Sequence, residues 1–143
     1  MLIPSVDKVI NKIVNNFETR DPYKIAKELD VIIVEEDLGE IYGYYSKVSR
    51  IPIIHINSRY DDFTKRFICG HELGHSLLHP NENTPMLSKI SILSEMKIEK
   101  EANYFAANLI IDGSHEEFEL INKYQILDFY GLPYEFKRYC KNF

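Results

Sequence analysis

Two histidines four residues apart, with a glutamate directly after the first, stand at His71-Glu72-Leu73-Gly74-His75. On an α-helix, residues at this spacing lie about 40° apart around the axis and one turn apart along it. Both imidazoles then reach one ion at ~2.0–2.1 Å. Glu72 is rotated about 100° from His71, so it does not easily join the same coordination set but reaches a water held by the ion. Two nitrogen ligands, an activated water and a carboxylate base form a set suited to metal-assisted hydrolysis of a peptide bond.

The neighbours of the motif place it on a buried face. With His71 as reference, Phe67 lies about 40° to one side, Leu78 about 20° to that side and Ile68 about 60° to the other. A globular helix buries such an apolar stripe, and buried imidazoles need partners that a metal supplies. Gly74, inside the same helix, costs roughly 1 kcal/mol relative to Ala; close approach of a neighbouring element explains it.

A catalytic zinc needs a third protein ligand and one open position. The next long helix offers Glu99-Lys100-Glu101-Ala102-Asn103-Tyr104-Phe105-Ala106-Ala107. Its apolar stripe is Ile98, Ala102, Phe105, Ala106 and Leu109, and Glu99 and Glu101 flank that stripe on opposite edges. Periodicity alone does not choose between them. Ala102, Ala106 and Ala107 allow close approach to a second helix. Asn103 is a candidate for orienting a ligand.

The pair His71-Glu72-Leu73-Gly74-His75-x-x-Leu78-His79 and Glu101-Ala102-Asn103-x-Phe105-Ala106-Ala107 resembles the ImmA/IrrE family of metallo-endopeptidases. Ile53-Ile54-His55-Ile56-Asn57 and Arg66-Phe67 resemble it too, so the likeness spans most of the chain. It implies a small zincin-like fold, Zn²⁺ as cofactor, and the glutamate before Ala-Asn, here Glu101, as third ligand beside His71 and His75. Glu72 is then the general base. The likeness also implies a protein substrate, a helix-turn-helix repressor of a phage or mobile element. The sequence departs from the family pattern where the helix closes with Ile110-Ile111-Asp112-Gly113 instead of an apolar pair and Pro. The alternative reading is a non-proteolytic regulator that binds a partner and keeps a structural or vestigial zinc site; an intact Glu72 argues against it.

The remaining histidines and cysteines read as structural. His79 is expected at the helix C-terminus, where an imidazole suits the last carbonyls. His55 and His115 are expected to be ordinary strand or surface residues, Cys69 a buried inert thiol, and the tyrosines packing residues.

The elements that must hold these residues follow from pattern. Val6 to Phe17 repeats apolar residues at helical spacing. Asp21-Pro22 reads as a cap and first position of a short helix through Leu29. Val31 to Val34 reads as a buried strand, and Ile41 to Val48 with Ile51 to Ile56 as a hairpin around Ser49-Arg50, with Pro52 best suited to an edge strand. A helix is expected from Tyr60 to about Leu78, a loop over Asn81 to Pro85, and a helix from about Leu93 to Ile110. Asp112-Gly113-Ser114 breaks it, and a tail of short helical pieces follows over 114–143. The order predicts one α+β domain over residues 1–143, with a small mixed or antiparallel sheet of about three strands packed on helices.

Composition narrows the partners. The chain has 143 residues, 45% of them hydrophobic, with 17 basic against 22 acidic side chains and a net charge of -5. That balance opposes phosphate-backbone binding and an anionic membrane surface. Two cysteines make no disulfide framework. No basic-then-apolar leader opens the sequence, so a cytoplasmic address is expected.

Overall fold

The computed structural model describes residues 1–120 and 122–141. Two helices open the chain, α1 (Pro4–Phe17) and α2 (Pro22–Glu28). Three strands follow, β1 (Ile32–Glu36), β2 (Gly43–Val48) and β3 (Ile51–Asn57). The long helix α3 (Asp62–Leu78), the helix α4 (Lys97–Ile110) and the short α5 (Lys123–Tyr130) complete the main elements. The architecture is α+β, as the element order implies. Of the tail expected over 114–143, residues 121, 142 and 143 lie outside the described residues. Among the described residues no helix is long and apolar enough to cross a membrane.

The sheet order is β1-β3-β2, with β1 parallel and β2 antiparallel to β3. The hairpin turns at Ser49 and Arg50, both with left-handed backbone, φ 50° and 67°. A two-residue hairpin needs that twist even where no glycine supplies it. β3 is the central strand, so Pro52 is not on an edge. It is tolerated because it faces only Lys47 of β2, while pairing with β1 begins one residue later, at Ile53 opposite Ile32. The first strand also starts at Ile32 instead of Val31. The Val31 N–H is spent on the Ala26 carbonyl at the end of α2.

α3 starts at Asp62 because Asp61 caps it, its side chain accepting from the Thr64 N–H at 2.8 Å. Asn57 ends β3 and pins the preceding loop. Its Nδ2 donates to the carbonyls of Gly39 and Ile41 at 2.8 and 2.7 Å, and its Oδ1 accepts from the Arg59 N–H. α4 begins at Lys97, four residues later than Leu93, after a single 3-10 turn at Ser91–Leu93.

The core lies between the sheet and α3, and between α3 and α4. Ile54 and Ile56 of β3, Ile68 and Leu73 of α3, and Phe105 and Leu109 of α4 are fully buried. The two long helices approach where their residues are small. A Cβ on Gly74 would lie 3.1 Å from the Phe105 ring, and one on Gly70 would lie 3.3 Å from the Ala106 Cβ. Gly74 therefore marks close approach, the role its place in a helix implied.

Candidate metal centre

His71, Glu72 and His75 fall on the middle of α3, and their ligand atoms lie within 4.8 Å of one another. All three are fully buried. α4 contributes Glu99, also fully buried. Its Oε1 is 2.8 Å from His75 Nε2 and its Oε2 is 3.3 Å from His71 Nε2. These contacts are short but not aligned as hydrogen bonds: His71 Nε2, His75 Nε2 and both Glu99 oxygens have no hydrogen-bond partner. These unpartnered polar atoms converge on common space.

The carboxylate beside the histidines is Glu99; Glu101, which the family likeness implies as third ligand, lies beside His79 instead. The helix geometry accounts for it. Glu99 lies about 20° around α4 from Ala106, and Glu101 about 140° from it. Ala106 is the residue that meets Gly70 of α3. Glu99 therefore faces the histidine helix, while Glu101 sits on the flank. The signal that separates the two glutamates is the pair Glu99 and Asn103, one turn apart on a single face. Each is a candidate from the sequence, and their shared face becomes evident only once Asn103 meets His71.

Asn103 stands against the first histidine, 2.7 Å from Oδ1 to His71 Nδ1. Its Nδ2 donates to the Ile92 carbonyl at 3.3 Å and to the Tyr139 hydroxyl at 3.4 Å, which fixes the amide orientation. Glu101 lies instead beside His79, 2.8 Å from Oε1 to Nε2. His79 follows the last residue of α3, and its N–H donates to the His75 carbonyl. Its ring turns to His75 and Glu101 and not to free carbonyls.

Burial pushes the Glu72 carboxyl up to about 7, with His71 pulling it down and Glu99 pushing it further up. Both Glu72 oxygens are buried without a hydrogen-bond partner. Burial drives His75 down to about 4. Burial also disfavours a charged His71, yet Glu99 and Glu72 together hold its proton affinity above the ordinary value. Burial opposes the charge on Glu99, and the two imidazoles outweigh it, holding the carboxyl well below its usual range. The bare cluster keeps an ionised carboxylate beside a proton-retaining imidazole. A divalent cation suits that space: imidazole and carboxylate are common zinc ligands, and binding releases the imidazole proton.

Of the two remaining histidines, one lies as expected and one does not. His55 lies on β3, stacked on Tyr44, 2.9 Å from Ser46 Oγ and 3.3 Å from Glu36 Oε1. His115 is not a surface residue; it is buried, with Nδ1 2.6 Å from the Tyr130 hydroxyl.

The cluster His71, Glu72 and His75 could hold a metal ion, and sequence comparison gives the family. The model of the peptidase M78 family, the IrrE N-terminal-like domain, matches residues 26–139. The chain belongs to this ImmA/IrrE metallopeptidase family. It is 34% identical over 107 residues to "Uncharacterized immunity region protein 2" of Bacillus phage phi105, covering 74% of this chain and 68% of that protein. It is 28% identical over 131 residues to "Metallopeptidase ImmA" of Bacillus subtilis (strain 168), covering 87% of this chain and 76% of that one.

Proposed function

We propose that this chain is a zinc-dependent endopeptidase acting in the cytoplasm, with residues 1–143 forming one zincin-like catalytic domain. Its substrate is a partner protein, a helix-turn-helix repressor of a phage or mobile element. His71, His75 and Glu99 hold the metal, and Glu72 is the base. The observation that carries this reading is the set of buried, unpartnered polar atoms on those four residues. Leaving such atoms unpaired costs about 1–3 kcal/mol each, more for charged groups, and one cation satisfies three of the residues at once. A structural site gives Glu72 no such use.

When bound, zinc supplies a Lewis acid that polarises a peptide carbonyl and acidifies water to a pKa near ~7. The protein's own residues do the rest. His71 and His75 present Nε2 atoms one turn apart, and Glu99 closes the set from α4. Glu72 takes the proton of the attacking water on a carboxylate oxygen and returns it to the leaving amine nitrogen. Burial favours the protonated form of its carboxyl in the metal-free cluster, and the charge of a bound cation would act in the opposite direction, toward the carboxylate that serves as base.

The repressor assignment rests on the family likeness, on a relative named for a phage immunity region, and on charge. A net charge of -5 complements a basic DNA-binding partner. The test is incubation with the repressor encoded beside the chain. Cleavage by the wild type, its loss in Glu72→Gln with zinc retained, and its loss with chelator are expected. An intact repressor with zinc-loaded wild type sinks the substrate, and undiminished cleavage by Glu72→Gln sinks the mechanism.

One observation favours a second reading, a non-proteolytic regulator with a structural zinc site. His71, Glu72, His75 and Glu99 are all fully buried, so a peptide must gain entry by local opening. Repressor inactivation that survives Glu72→Gln but not metal removal would select it.

A further inference from the structure

Each of the two histidines has a second ring nitrogen, and the two are served differently. His71 Nδ1 meets the amide oxygen of Asn103. His75 Nδ1 lies 3.0 Å from His79 Nδ1, and His79 Nε2 lies 2.8 Å from Glu101 Oε1. His79 is 6% exposed, so water competes little for its ring. The metal role leaves His79 and Glu101 unexplained, although they form a continuous chain to one ligand.

We propose that Glu101 and His79 are positioning residues that fix the tautomer and ring orientation of His75 for the metal; this rests on the metal site proposed above. The direction of the chain follows from donor and acceptor chemistry. An ion held by His75 uses the Nε2 lone pair, so that ring's proton lies on Nδ1 and is donated to His79 Nδ1. His79 accepts it through a bare Nδ1 and carries its own proton on Nε2, which donates to Glu101 Oε1. The reverse assignment sets a bare His79 Nε2 against a carboxylate and leaves a proton on the His75 nitrogen that must bind the ion. An anionic end to the chain also raises the basicity of the ligating nitrogen, a role seen for carboxylates behind zinc-bound histidines generally. His71 has a neutral amide in the corresponding place, so the two histidines differ in donor strength.

The test uses the full chain and zinc itself, with affinity read by competition against a chelating indicator and folding checked by circular dichroism. His79→Phe keeps the ring volume and removes the acceptor; zinc binding should weaken about 10–100-fold. His79→Asn places an amide oxygen near the position of Nδ1 and should recover most of that loss. Glu101→Gln should fall between the wild type and His79→Phe. In the zinc-loaded wild type, the His75 Nδ1 proton should appear as a slowly exchanging downfield NMR signal, present in His79→Asn and absent in His79→Phe. Wild-type affinity in His79→Phe, or no recovery in His79→Asn, overturns the proposal. If His79→Phe does not fold, His79→Asn and Glu101→Gln decide: wild-type affinity in Glu101→Gln together with an unchanged His75 proton signal overturns it. A wild type that binds no zinc, or Glu99→Gln binding as tightly as wild type, defeats the underlying metal reading and is distinguishable from these results.

Discussion

Asn103 holds the Nδ1 side of the His71 ring from the turn of α4 that follows Glu99, whose carboxylate faces the Nε2 side. One helix thus grips both nitrogens of a histidine on another. The grip is i,i+4 spacing applied to polar residues: two side chains one turn apart project from the same face.

The two glutamates of α4 should therefore separate in metal analysis. Glu99→Gln removes a carboxylate that lies against both imidazoles, and the purified protein should hold substoichiometric zinc. Glu101→Gln should copurify with zinc, held more weakly. Elemental analysis of the two variants after identical dialysis checks this, and the opposite ranking would restore Glu101 as the ligand.

Gly74→Ala should destabilise the protein despite the better helix propensity of alanine. The new methyl group would stand 3.1–3.3 Å from three atoms of Phe105, a fully buried ring. The propensity gain is roughly 1 kcal/mol, and overpacking costs typically 1–3 kcal/mol. A net loss of up to about 2 kcal/mol is expected by urea denaturation, with recovery when Phe105→Leu is added.

Asn57→Ala should cost about 1–2 kcal/mol, because it strips the carbonyls of Gly39 and Ile41 of a shared donor in a part-buried setting. Asn57→Asp should fare no better: a carboxylate would replace the donor while facing two carbonyl oxygens. Denaturant midpoints of the two variants test the ranking.

Thiol chemistry should report folding. Cys69 and Cys140 are both buried and unpaired with each other. Native protein at pH 8 should resist iodoacetamide, and both thiols should label after unfolding. Burial raises the Cys140 thiol above its ordinary value, with Lys123 pulling weakly the other way. Its contribution to stability is complete below the ordinary thiol pKa and is lost as pH rises through the raised one. Unfolding midpoints should fall in that alkaline window, and less in Cys140→Ala.

The motif on α3 was legible in the sequence because its spacing is itself the chemistry: four residues on a helix make one face. The three strands were also legible, from β-branched runs and turn positions, while the choice between a mixed and an antiparallel sheet waited on the parallel pairing of β1 with β3. What the sequence hid was relational. Glu99 is decided by which side of α4 meets α3, and that side is marked by Ala106 against Gly70 and not by hydrophobicity. Pro52 looked like an edge residue because its strand's second neighbour arrives from earlier in the chain. His115 looked exposed because its partner, Tyr130, lies 15 residues away on α5.

The narrow gap between α3 and α4 makes the cluster an interhelical gauge. His71 and His75 ride on one helix and Glu99 on the other, so their separation is the spacing of two rigid rods, read at the midpoint of α3. Loop motion alone leaves that reading untouched. Any bulk added at positions 70, 74 or 106 pries the rods apart and spreads the donor atoms with them. Affinity for a small cation should therefore decay well before cooperative unfolding sets in, and a metal titration becomes a ruler for core packing.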